Sequence, residues 1–179
     1  GCRHDELLAL RWGSVDLVAG TVWIRESLSW ARLKGEEYTE RWRFYPPKTE
    51  AGNRRLMIPP EIVSRLKKWK LKSPKGRLDL VFSGPDGEPI QRHHTLRCGL
   101  HPLLRRAGLR QVDMHSLRHS FATIRIMSGS PVNEVARDLG HSDSTTTLRI
   151  YTHWFEGVRT NPTSTLRGSR FWNIKELGL

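Results

Sequence analysis

The stretch that decides the reading of this chain is HSLRHSFATIRIMSGSPVNEVARDLGHSDSTTTLRIY, residues 115–151. Leu117, Phe121 and Ile124 recur at helical spacing and predict a helix over 115–128 with that stripe facing the core. His115 and Arg118, three positions apart, then lie together on another face of the helix. Ser130 and Pro131 start a further helix through Val132, Val135, Ala136 and Leu139, which Gly140 ends as a left-handed cap. A last helix, from about Ser144 to Thr152, carries Tyr151. The stretch thus brings together His115, Arg118 and His119 at short offsets, His141 at a Gly-bounded helix end, and a lone tyrosine.

Upstream, Asp5 and Glu6 precede the apolar run Leu7, Leu8, Ala9, Leu10 and Trp12. Acids in a first turn complement the helix dipole, so a short buried helix is expected just after Arg3. On this segment by itself, Arg3 reads as a solvated arginine or a partner for Glu6. Residues 21–27, 41–46 and 54–58 read as strands, with PPKTEAGN (46–53) as a turn between the last two. They predict a three-stranded antiparallel sheet with Lys48 near the tip of a hairpin. Residues 30–40 read as a charged loop. Pro59-Pro60 opens a helix with Ile62, Leu66 and Trp69 on one side. Another pattern runs from about Thr95 to Gly108, with Pro102 inside it, which should kink or interrupt the helix at a cost of ~3 kcal/mol. The expected class is α+β, mainly α-helical with a small three-stranded antiparallel sheet.

The 179 residues suit one domain, and 37% apolar residues leave room for a core beneath a large polar surface. Lys and Arg number 30 against 18 Asp and Glu, a formal charge of +12, which favours a polyanionic partner such as nucleic acid. The two cysteines, Cys2 and Cys98, have neither metal-type nor redox spacing, so a reducing compartment is expected rather than a disulfide framework. No apolar run approaches membrane-spanning length, and no membrane partner is expected. The chain opens on a motif without an initiator Met, which suggests that an upstream part is missing.

These residue types suit phosphoryl transfer, which is mostly positioning and charge stabilisation. Arginine forks match phosphate oxygens with two parallel hydrogen bonds. A tyrosine hydroxyl, with a pKa of about 10, must lose its proton to attack, and a histidine can take it. The leaving sugar oxygen needs an acid, a role open to a lysine of lowered pKa. Two other readings stay open. His115 and His119, four apart on a helix, have a spacing that can bind zinc, but Ser116 stands where the zinc-protease motif needs glutamate. VNEVARDLGHSDSTTTLRIY also has the pattern of a helix-turn-helix, which would bind DNA without cutting it.

Four pieces in chain order resemble the catalytic domain of the tyrosine recombinases, specifically the phage-type integrases. GCRHDELLALRWGSVDL is similar to the family's first arginine box, and PPKTEAGNRRLMIP to the hairpin bearing its lysine. HSLRHSFAT resembles the His-x-x-Arg box, and LGHS followed by YTH resembles the third histidine and the nucleophile. The resemblance implies that Tyr151 attacks a DNA phosphodiester, forming a 3′-phosphotyrosyl bond and freeing a 5′-hydroxyl. It implies that Arg3 and Arg118 hold the scissile phosphate, that Lys48 is the general acid, that His115 assists proton transfer and that His141 bonds the phosphate. Neither metal nor nucleotide cofactor is implied. The implied partners are double-stranded DNA and three further copies in a tetramer, in the cytoplasm of a prokaryotic host. A type IB topoisomerase shares this chemistry and is the sister reading. The family-like domain covers residues 1–154, truncated at its N-terminus, and the tail 155–179 is expected to dock on a neighbouring subunit. The family's upstream DNA-binding domains have no counterpart here, so weak DNA binding is expected. Ten positions separate His141 from Tyr151, as in some phage-type integrases, and Ser144 fills a usually apolar position.

Overall fold

Acids in the first turn start the first helix, α1, at His4–Leu8. The Glu6 carboxylate reaches back to accept the Arg3 backbone N–H at 2.8 Å, satisfying a donor that the helix cannot pair by itself. The computed structural model describes residues 1–31, 41–145 and 147–148; Tyr151 and the tail 155–179 lie outside these described residues.

The described strands are β1 (Val15–Asp16), β2 (Thr21–Ile24), β3 (Ser27–Ala31), β4 (Arg41–Tyr45) and β5 (Arg54–Met57). A three-stranded antiparallel sheet is present, in the order β1-β2-β5, with Val22 opposite Leu56 and Ile24 opposite Arg54. Its membership differs from the expectation. The strand at 41–46 does not enter this sheet. As β4 it pairs with β3 in a separate two-stranded sheet, Leu28 opposite Phe44 and Trp30 opposite Trp42. The cause is a second apolar surface: Leu28, Trp42, Phe44 and Ile90 pack with Leu8 and Ala9, away from the Val22–Ile24 core. Trp30 is therefore in a strand rather than a loop. Lys48 sits on a connection between two sheets, not at a hairpin tip.

The main core joins Leu10, Trp12, Val22, Ile24 and Val81, with Leu56, Leu66 and Trp69 packed against it. Leu66 and Trp69 come from α2 (Pro60–Lys72), and the Trp69 indole N–H donates to the Val81 carbonyl at 2.6 Å. The Thr95–Gly108 pattern is one helical path of three pieces: α3 (Arg92–His94), a π-helical turn (Thr95–Leu100) and α4 (His101–Arg106). Pro102 does not break it. It falls in the first turn of α4, just after the widened π turn, where the missing N–H and the bulky ring are tolerated.

The third core layer joins α5 (Met114–Met127) and α6 (Val132–Leu139) through Ala122, Val135 and Leu139. Asp113 caps α5, accepting the Ser116 backbone N–H at 2.7 Å. The expected Leu117–Phe121–Ile124 core stripe holds at Phe121, which packs against this cluster, and is corrected at the other two positions. Leu117 and Ile124 are each 40% exposed, whereas Arg118 is 6% exposed and Ala122 fully buried. The inner face of α5 is claimed by the Arg118 guanidinium and its hydrogen bonds. Among the described residues, no helix is long and apolar enough to cross a membrane.

Candidate active site

Glu6 is the pivot of the site. It is 6% exposed and binds two arginines. Arg54 approaches head-on, its two terminal nitrogens 3.0 and 2.8 Å from the two carboxylate oxygens, and Arg3 donates to Oε1 at 2.8 Å. Arg54 also donates from Nε to the Asp138 carbonyl at 2.7 Å and from a terminal nitrogen to the Gly52 carbonyl at 3.1 Å. One guanidinium thereby ties β5 to α1 and to the end of α6. Burial pushes the Glu6 carboxyl up, but the hydrogen bonds and charge of Arg54, and then Arg3, outweigh it and hold the group at about 2, below its ordinary 4.5. The sequence reading missed Arg54. Its signal was there: in RRLMI, Arg54 alternates in phase with inward-facing Leu56, so an arginine occupies an inward position that demands a buried acid.

Arg118 makes the second anchor. It donates to the Gly1 carbonyl at 2.7 Å, to the Leu139 carbonyl at 2.6 Å and to His141 Nε2 at 3.1 Å. Burial, and then the nearby Arg3 charge, lower its pKa to about 10, still far above neutrality. His141 follows Gly140, whose φ of +69° turns the chain out of α6. A side chain at Gly140 would meet the Arg54 guanidinium at 2.6 Å and the Ala51 carbonyl at 3.0 Å, so glycine is required by conformation and by space. His141 Nδ1 lies 2.7 Å from the Thr147 hydroxyl. Burial, then the charges of Arg118, Arg3 and Arg54, lower the His141 pKa to about 4, so the imidazole is neutral at pH 7.

These groups border one cleft of ≈ 530 Å³, whose lining includes Arg3, Lys48, Thr49, Gly140, His141 and Ser142. Three carboxylates also line it, and each has a cationic partner: Glu6 with Arg54, Glu26 with Arg11 at 2.8 Å and Asp5 with Arg92 at 3.2 Å. The cleft therefore suits an anion, with guanidinium, ammonium and imidazole on its walls. Arg3, Lys48 and His141 are brought together directly, and Arg118 joins them through His141. His115 is not among the lining residues. It is exposed, and its ring packs edge-on against His119 with centroids 4.4 Å apart. Arg118, its helical neighbour, points inward instead. Tyr151 lies outside the described residues. Within the helix-turn-helix pattern, Thr147 is fully buried, whereas Thr145 and Leu148 are exposed. Among the described residues, no three His, Cys, Asp or Glu side chains form a group suited to a metal ion.

Several known proteins are similar to this chain in sequence or in fold. A tyrosine recombinase XerC-like protein of Caldanaerobacter subterraneus is 27% identical over 180 residues, covering 93% of this chain and 46% of its own length. The tyrosine recombinase XerC of Xylella fastidiosa strain 9a5c is 34% identical over 156 residues, covering 86% of this chain and 44% of its own. This chain thus spans less than half the length of these relatives. Among solved structures, the Tn1549 transposon integrase in complex with transposon right end DNA superposes with a TM-score of 0.70 at 21% identity, covering 88% of this chain and 53% of that one. The XerH site-specific recombinase bound to palindromic difH substrate gives 0.62 at 27% identity, covering 92% and 42%. The profile described as the phage integrase family matches residues 1–157. With that span matched and the arginine–histidine cleft in place, the chain belongs to the phage integrase family of tyrosine recombinases.

Proposed function

We propose that this chain is the catalytic domain of a site-specific recombinase that cuts and rejoins double-stranded DNA through Tyr151. The observation that carries this reading is the cleft in which Arg3, Lys48 and His141 meet, with Arg118 hydrogen-bonded to His141. The scissile phosphate occupies the cleft, held by Arg3 and Arg118, and His141 hydrogen-bonds one of its oxygens. The Tyr151 oxygen attacks phosphorus, its proton passing to His115. The bond to the 5′-oxygen breaks, and Lys48 protonates that oxygen as it leaves. A 3′-phosphotyrosyl bond and a free 5′-hydroxyl result. Attack by a partner strand's 5′-hydroxyl reverses the step and joins the strands in a new arrangement. The phosphotyrosyl bond conserves the energy of the broken one, so the step calls on neither a metal nor a nucleotide cofactor.

The transposon integrase is in complex with transposon right end DNA and the XerH recombinase is bound to its difH substrate, which supports DNA as the partner here. The prophage integrase IntR of Escherichia coli, 26% identical over 180 residues, supports a mobile-element setting. The similar proteins are recombinases and integrases, which favours strand exchange over topoisomerase-type relaxation. Action as a homo-tetramer on two DNA sites, in the cytoplasm of a prokaryotic host, completes the proposal. The test is incubation with a nicked suicide duplex carrying the attachment site. A covalent protein–DNA adduct that is absent with Tyr151→Phe is expected. Stable DNA binding without any adduct would overturn the reading.

A further inference from the structure

We infer that Thr147 is a positioning residue that holds the His141 ring by Nδ1, accepting the proton that the Arg118 contact keeps on that nitrogen, and that its hydroxyl lets the ring change tautomer when an anion enters the cleft. The second half rests on the proposed function above; the first half does not. Thr147 is fully buried, and its Oγ1 lies 2.7 Å from His141 Nδ1. The other ring nitrogen, Nε2, lies 3.1 Å from an Arg118 terminal nitrogen. A guanidinium can only donate, so Nε2 accepts. The neutral ring then carries its proton on Nδ1 and donates it to the Thr147 oxygen. A charged imidazolium would turn an N–H against the guanidinium. The charged and titratable groups facing the ring are Arg118 and His119 from α5, Arg3 at the start of α1 and Arg54 from β5, all of which favour the neutral ring.

The identity of the Nδ1 partner matters. A carboxylate or carbonyl can only accept, and would lock the proton on Nδ1. A hydroxyl both donates and accepts. When a phosphate oxygen takes the Arg118 hydrogen bond, Nε2 becomes useful as a donor. The ring then releases the Nδ1 proton to water and gains one from water on Nε2, with no net change in charge. Thr147 reverses its role and donates to Nδ1. The same side chain therefore holds the ring in both states.

Two measurements test this on the full chain. The first follows the His141 ring nitrogens by NMR in ¹⁵N-histidine-labelled protein, assigned with His141→Gln. Wild type and Thr147→Ser should show Nδ1 protonated and hydrogen-bonded with Nε2 bare at neutral pH, and in Thr147→Val the Nδ1–H should lose that hydrogen-bonded signature. Wild type with the proton on Nε2, or Thr147→Val with an unchanged signature, would overturn the inference. The second is the rate of adduct formation on the nicked suicide duplex. Thr147→Val should slow it by about tenfold, one hydrogen bond's worth, and Thr147→Ser should restore it. Equal rates in all three, or a serine variant as slow as valine, would refute the hydroxyl's role. If wild type forms no adduct, the recombinase reading fails, and the NMR signature still decides the assignment of Thr147.

Discussion

Replacing Arg54 by methionine should take the doubled contact from the buried Glu6 carboxylate and leave it to Arg3. The pair is almost dry, with side chains 5% and 6% exposed, and the contact is doubled at 2.8 and 3.0 Å. Removing one partner of such a pair costs about 3–5 kcal/mol, because the other charge keeps its desolvation penalty. The depressed acidity of Glu6 gives a consistent size. A fall from 4.5 to about 2 corresponds to ~3 kcal/mol of folding stability held by the ionised form. The wild-type contribution is fully present above pH 4.5 and is lost as pH falls toward 2. In Arg54→Met burial is opposed by the Arg3 hydrogen bonds alone, so the Glu6 pKa rises from its wild-type position and the variant loses less stability on acidification than the wild type does. Urea denaturation of both proteins between pH 7 and 4 should show a gap of about 3–5 kcal/mol that narrows on acidification. His141 also destabilises the fold as it charges below its ordinary pKa; Arg54 is one of the charges that lower that pKa, so its removal eases this term and narrows the gap in the same direction. Adding Glu6→Gln to Arg54→Met should recover part of the loss. A gap under about 1 kcal/mol, or one independent of pH, would refute the view that this pair is the pivot of the site.

Two further substitutions probe the cleft. Gly140→Ala places a methyl group against the Arg54 guanidinium at a φ of +69°, so it should lower stability by more than ~1 kcal/mol in the same urea assay. Lys48→Ala removes an exposed side chain on a connection between sheets, so stability should stay within about 0.5 kcal/mol while adduct formation collapses; a matching loss of stability would recast Lys48 as structural.

The amino-acid sequence by itself determined the elements and the chemistry they offer. Hydrophobic periodicity delimits α2, α5 and α6, and Gly140 marks the end of α6, because these signals are local and set by backbone and side-chain geometry over a few turns. The ordered motifs singled out Arg3, Lys48 and His141, which the fold brings to one cleft, and Arg118, which the fold joins to His141. Tertiary structure decided what depends on partners distant in the chain. β4 joined β3 because Phe44 and Trp42 found Leu8 and Leu28, a choice that alternation within each strand cannot express. Leu117 and Ile124 turned outward because Arg118 needed the Gly1 and Leu139 carbonyls beneath α5. Arg54 reads as one more basic residue in a basic strand until Glu6 appears beside it. A buried charge is stable only with its counter-charge, and residues 48 positions apart become counter-charges only when the chain has folded.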